Sequence, residues 1–274
     1  MTTALRPLST GELLDRTFSL YRSHFGLFVG IFALPHLVVL TFQCVGLGFQ
    51  SSGNQLSNIL STLFFSVGAL FLTVIVSAAS QAATVVAVSQ VHLDRPASVM
   101  DSFSRVKGEI VGVIGLSMLV GLGVGFGFIA LIVPGVLLAL MWSLAVPVKI
   151  LENKGATDAM SRSSDLTKGD RGRIFVIWLL FIVLSLAVSW LLQWPILLAE
   201  GISSRGMQHM AAGWRAASLV ATFTSQCLVG PLATIALSLV YYDERVRKEA
   251  FDLQLMMTTL DAPGLPGSPA QAGA

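Results

Sequence analysis

The feature that most constrains this chain is a series of long apolar stretches that contain no Asp, Glu, Lys or Arg. They cover about 25–49, 59–91, 110–130, 131–148, 174–198 and 216–242. A helix needs roughly 20 apolar residues to cross a hydrocarbon layer of about 30 Å, because lipid offers no hydrogen bonds to exposed backbone. The pattern predicts an all-α, polytopic transmembrane helical bundle of about six spans. Composition agrees. Apolar residues make up 54% of the 274 residues and charged ones 12%, against roughly 25% charged in soluble domains. Mean hydropathy is +0.77. A chain so poor in charge cannot coat its own surface with polar groups, so the lipid bilayer is its first expected partner.

The third and fourth stretches adjoin. One unbroken helix of about 40 residues would measure roughly 60 Å, twice the hydrocarbon thickness. Pro134-Gly135 supplies a break, since proline disrupts a helix and glycine permits a turn. A tight hairpin is expected at about 128–135. The second stretch is long for one span and is expected to begin or end outside the hydrocarbon.

The cations are segregated. Short cytoplasmic loops collect Lys and Arg. Arg6, Arg16 and Arg22 precede the first span; Arg95, Arg105 and Lys107 follow the second. Lys149, Lys154, Arg162, Lys168, Arg171 and Arg173 follow the fourth, and Arg245, Arg247 and Lys248 follow the sixth. Of the 17 Lys and Arg, only Arg205 and Arg215 fall on the opposite side. Both ends are therefore expected in the cytoplasm. Trp190, Trp194, Trp214, Tyr241 and Tyr242 sit where interfacial aromatic rings are favoured. Residues 1–24 carry charges and no apolar core, so no cleaved signal peptide is expected.

Four cytoplasmic segments read as amphipathic helices. Ser9-Thr10-Gly11-Glu12 is a capping-box pattern, followed by a stripe of Leu14, Phe18, Tyr21 and Phe25 at helical spacing. The others lie at about 97–107, 156–168 and 243–258. The first three each precede a pair of spans and carry a basic residue near the junction, namely Arg22, Lys107 and Arg173. This reads as a weak threefold repeat. The Pro- and Gly-rich segment 259–274 is expected to be disordered.

Chemistry is sparse. Gly121, Gly123, Gly125 and Gly127 superficially evoke a phosphate loop, but their apolar setting favours small-xxx-small helix packing. Cys44 and Cys227 lie in apolar runs, with no spacing that suggests zinc or redox work. The four histidines are scattered, and no nucleophile motif is present. No Asp, Glu, Lys or Arg sits centrally in a span, which disfavours a proton- or sodium-coupled pump. No catalytic set, metal set or cofactor site is expected, and a net charge of +2 supplies no field for nucleic acid.

Two candidate sites remain. Ser77, Ser80, Gln81 and Thr84 share a face of the second span. They either hydrogen-bond to neighbouring helices or line a substrate path. Gln226, Gln43 and His36 are candidates for the same interior. Arg162, Lys168, Arg171 and Arg173 are a candidate cytoplasmic interaction surface. Pro35, Pro147, Pro195 and Pro231 are places where helices can kink or end.

Several short stretches carry a resemblance. They are Leu8-Ser9-Thr10-Gly11-Glu12-Leu13-Leu14-Asp15-Arg16, Val133-Pro134-Gly135, Leu151-Glu152-Asn153-Lys154-Gly155-Ala156, Leu166-Thr167-Lys168-Gly169, and the run from Tyr241 to Asp252. As a set they resemble the glycerophosphoryl diester phosphodiesterase membrane domain, over about 8–257. The resemblance implies a six-helix bundle, multi-pass in a bacterial cytoplasmic membrane. In members that gave the family its name, the domain is fused to a catalytic barrel that opens with a His-Arg pair. No histidine here is followed by Arg, and no catalytic residue is carried over.

The functional expectation is a non-enzymatic membrane protein, acting as a scaffold or as a binding module for another membrane or cytoplasmic protein. The alternative is a permease or exporter for an uncharged or lipidic molecule. A membrane-embedded enzyme of lipid metabolism ranks below both. Oligomeric state is left open.

Overall fold

The computed structural model describes residues 8–49, 54–93, 95–203 and 210–249. Ten helices run through them: α1 (Thr10–Ser23), α2 (Phe25–Phe49), α3 (Gln55–His92), α4 (Val99–Val106), α5 (Ile110–Ala130), α6 (Ile132–Met141), α7 (Ala145–Glu152), α8 (Ala156–Thr167), α9 (Arg171–Ser203) and α10 (Met210–Glu249). No strand occurs among the described residues. Six segments are long and apolar enough to cross a membrane: α2, α3, α5, the α6–α7 pair, α9 and α10. The protein is a multi-pass, all-α integral membrane protein.

Packing is inverted relative to a soluble protein. Large apolar side chains such as Phe64, Phe126, Ile129 and Val183 are exposed around the outside, where lipid replaces water. α10 is the most buried span and packs against α9, α2, α3 and α1. The core gathers Ile235, Leu239 and Tyr241 of α10 with Phe28 and Ile31 of α2, and Leu144 and Ile177.

Local chemistry explains the breaks. The capping box forms: Ser9 N–H donates to Glu12 Oε2 at 2.8 Å, and Glu12 N–H donates to Ser9 Oγ at 3.3 Å. The α5–α6 hairpin turns at Leu131, which is extended (φ −168°). The helix thus restarts before Pro134, which occupies the first turn of α6, where an N–H is not needed. The glycine of that pair serves the crossing. A Cβ on Gly127 would lie 2.9 Å from Gly135 Cα, so the two backbones touch. Asn153, left-handed at φ 51°, ends α7, and Gly169 at φ 99° turns α8 into α9. Two of the short resemblance stretches therefore coincide with these turns.

Several details depart from the sequence reading. The fully buried residues of α1 are Leu13 and Thr17. Of the stripe Leu14, Phe18, Tyr21 and Phe25, Leu14 and Tyr21 pack half-buried on the core, whereas Phe18 is 42% exposed and Phe25 is exposed too. Apolarity marks lipid contact and core contact alike, so it cannot tell the two faces of such a helix apart. The fourth amphipathic segment is no separate element over its described part, because α10 runs unbroken to Glu249. The rest of it, and the tail at 259–274, lie outside the described residues. Pro35, Pro195 and Pro231 sit inside continuous helices and Pro147 in the first turn of α7. Of the glycine series, Gly123 meets Trp142 and Gly127 meets Gly135, whereas Gly121 and Gly125 have open space where a Cβ would stand.

Candidate functional site

The charged side chains converge at one end of the bundle, where the last turns of α10 act as a hub beyond its apolar stretch. Asp243 is buried there. It accepts the Leu8 N–H at 2.6 Å and an Arg247 N–H at 2.9 Å, and it pairs with Arg173. Arg173 and Arg247 also donate to the Leu8 carbonyl at 3.0 and 2.6 Å. Burial opposes ionisation of Asp243, but the Leu8 amide and the two guanidinium groups outweigh it and hold the carboxyl below its ordinary range. Tyr241 donates to Glu152 at 3.0 Å, and Glu152 also pairs with Lys154 and Arg162. Lys248 donates to the carbonyls of Leu166 and Lys168 at 2.5 and 2.7 Å. His92 at the end of α3 stacks on Tyr242 with ring centroids 5.5 Å apart.

The candidate cationic surface sits within this hub. Arg162 pairs with Glu152 and Glu249, and Arg173 with Asp243. Arg171 is half-buried, and Lys168 is exposed. The four are thus not equivalent: two are committed to intrachain ion pairs that tie α8 and α9 to α10.

The candidate polar face on α3 also divides. Ser80 and Thr84 are fully buried, Ser77 and Gln81 half-buried. The hydroxyl oxygens of Ser80 and Thr84 have no hydrogen-bond partner. None of the four lines the cavities described next.

Three cavities form a chain that runs from the middle of the bundle toward the end away from the charged hub. The central one, about 290 Å³, lies between α9 and α10. Ser185, Ser189, Ser225 and Gln226 supply its polar wall, Trp178 and Phe181 part of its apolar wall. Ser189 and Ser225 hydrogen-bond across it at 2.8 Å. The second, about 50 Å³, lies between α2, α3 and α10, opens on one side, and is lined by His36, Gln43, Thr73, Thr222 and Gln226, of which Thr222 and Gln226 are exposed. Thr222 and Gln226 line both. The third, about 270 Å³, shares Ser189 with the first and continues along Trp190, Gln193, Trp194 and Leu197 of α9.

The structure thus brings His36, Gln43 and Gln226 into one chamber, with Thr73 as the α3 contribution. Sequence reasoning missed Ser185, Ser189 and Ser225. Their signal was present: Ser185 and Ser189 are four apart on α9, and Thr222, Ser225 and Gln226 share a face of α10. Serine is so common in spans that spacing alone does not separate a lining from a packing contact.

No Asp, Glu, Lys or Arg lines these cavities, and His36 is their one titratable ring. Among the described residues, no group of His, Cys, Asp or Glu is placed to hold a metal ion. The arrangement suits hydrogen bonding to an uncharged group beside an apolar wall. The fold and cavities together define a six-span helical membrane protein with an amphipathic cleft between α9 and α10 that opens to the outside. No protein-family model, curated protein or solved structure matches the chain.

Proposed function

We propose that this protein binds an uncharged amphiphile within the bilayer and acts as a permease or exporter for it. The observation that carries the reading is the α9–α10 cavity. Its volume of about 290 Å³ falls at the small end of ligand pockets, roughly 300–1,000 Å³. It combines an apolar wall with serine and glutamine, and its polar groups lie near the middle of their helices, where transporters place substrate. The adjoining Trp190–Leu197 groove offers a course for an alkyl chain toward the membrane surface opposite the charged hub. On this reading the hub faces the cytoplasm, as the cation asymmetry argues, and the protein performs no catalysis.

The scaffold reading draws less support. Arg162 and Arg173 already pair within the chain, which leaves less of the cationic loop for a partner. We place the chain, on its motif set, in the glycerophosphoryl diester phosphodiesterase membrane domain family without the catalytic barrel, in a bacterial cytoplasmic membrane.

The test is native mass spectrometry of the purified protein offered equimolar neutral and anionic amphiphiles of equal chain length. Selective retention of the neutral species, lost in Ser225→Phe, which fills the cavity, is the expected result. Equal retention of both, or retention indifferent to Ser225→Phe, would overturn the reading.

A further inference from the structure

The chamber beside the α9–α10 cavity has an unusual hydrogen-bonding balance. His36 is 4% exposed, and its ring stacks on Phe32 at 5.6 Å between centroids. His36 Nδ1 lies 2.8 Å from the Phe32 carbonyl oxygen. A carbonyl only accepts, so Nδ1 carries the hydrogen, and Nε2 of the neutral ring is a bare acceptor. That Nε2 is buried and has no partner. The other hydroxyls of the chamber are committed as donors: Thr73 to Ala69 O at 2.7 Å and Thr222 to Ser218 O at 2.9 Å. Their oxygens, like Nε2, present lone pairs. The amides of Gln43 and Gln226 supply both donors and acceptors, so Nε2 is the buried acceptor left without a partner, and the chamber holds no carboxylate that would neutralise a cationic donor.

We propose that His36 Nε2 accepts a hydrogen bond from the hydroxyl of a neutral alcohol-type amphiphile whose chain lies in the α9–α10 cavity. This assignment rests on the reading of that cavity given above. Thr222 and Gln226, which line both spaces, stand between headgroup and chain. A chamber of about 50 Å³ accepts a hydroxyl-bearing carbon and no bulky headgroup. It also has room for one water, whose share of liquid volume is about 30 Å³, and water is the rival occupant. Phosphate and carboxylate headgroups are disfavoured, because they bring a charge that no Lys or Arg of the chamber balances, and they offer His36 Nε2 no donor.

The experiment uses the full chain in phosphatidylcholine nanodiscs and two clickable, diazirine-bearing probes. One is a hexadecanol; the other carries fluorine in place of the hydroxyl, similar in size but unable to donate. Crosslinked peptides are mapped by mass spectrometry. The expected result is that the alcohol labels α9–α10 peptides at a concentration roughly tenfold below the fluoride, the worth of one buried hydrogen bond. His36→Leu should erase that preference while fluoride labelling persists. If both probes label α9–α10 at equal concentration in the unmodified protein, a resident water satisfies His36. The proposal then falls and the cavity reading stands. If neither labels α9–α10 above the level seen in Ser225→Phe, both fall. The comparison of probes on the unmodified chain needs no variant to fold.

Discussion

Ser163 on α8 accepts the backbone N–H of Leu144 at 3.2 Å and donates to the carbonyl of Met141 at 2.7 Å. The two backbone groups flank the break between α6 and α7, where helical hydrogen bonding lapses. One buried hydroxyl thus supplies both a donor and an acceptor to an interrupted span. Ser163→Ala removes both, leaving the Leu144 N–H without its partner and the Met141 carbonyl with only a long bond from Thr167 at 3.5 Å, at a cost of about 1–3 kcal/mol. The apparent melting temperature of the detergent-solubilised protein should fall by several degrees. An unchanged midpoint would show that the break is satisfied by other means.

The tie between Arg173 and Asp243 makes a second prediction. Removing the carboxylate in Asp243→Ala leaves two guanidinium groups and the Leu8 amide facing an empty site. Breaking a buried pair from one side costs about 3–5 kcal/mol. Combining Arg173→Met with the same Asp243→Ala should cost less than the sum of the two single changes. Thermal unfolding of all four proteins closes the cycle, and strict additivity would mean that the pair does not couple α9 to α10.

Glu244 is fully buried, and neither carboxylate oxygen makes a hydrogen bond. Lys248 and Arg173 stand off at 3.6 and 3.8 Å. Burial raises its pKa to about 7, Asp170 and Asp243 push the same way, and Lys248 and Arg173 oppose. The folded value therefore exceeds the ordinary 4.5. The associated stability is full below that ordinary value and is lost as pH rises through about 7. The melting midpoint should be lower at pH 8 than at pH 6, and Glu244→Gln should flatten that slope and stabilise the protein at pH 8. A slope retained in Glu244→Gln would assign it to other groups.

Two glycines on α5 should respond with opposite sign. Gly127→Ala forces a Cβ against Gly135 and should destabilise the α5–α6 hairpin by about 1–3 kcal/mol. Gly121→Ala meets open space and should be neutral or stabilising by up to about 1 kcal/mol through helix propensity. Melting of the two variants side by side checks the contrast, and equal effects would mean that the crossing is not tight.

The spans were legible because length and hydropathy suffice for them: every uncharged stretch became part of a long helix except 131–148, which is divided between the short helices α6 and α7. The hairpin was legible near Pro134-Gly135, although the turn itself falls at Leu131, ahead of the proline. What side faced what was not legible. On α1, both Leu13 and Phe18 are apolar, yet Leu13 is fully buried whereas Phe18 is 42% exposed and touches the bundle only at its edge, beside Phe181. The polar interior was half legible. His36, Gln43 and Gln226 are conspicuous in apolar runs and do meet, whereas Ser189 and Ser225 gain meaning only from the helix pairing. The hub was visible as a set of charges, but sequence has no means of pairing Arg173 with Asp243, 70 residues away.

The cavities and the hub both presuppose six spans with the charged end on the cytoplasmic side. Site-directed labelling tests this directly, in a background where Cys44 and Cys227 are replaced by serine. Asn54→Cys, at the start of α3, and Lys168→Cys, between α8 and α9, report the two ends. In intact cells a membrane-impermeant maleimide should modify Asn54→Cys, and it should reach Lys168→Cys only after permeabilisation. Modification of Lys168→Cys in intact cells, or protection of Asn54→Cys until permeabilisation, would contradict the account.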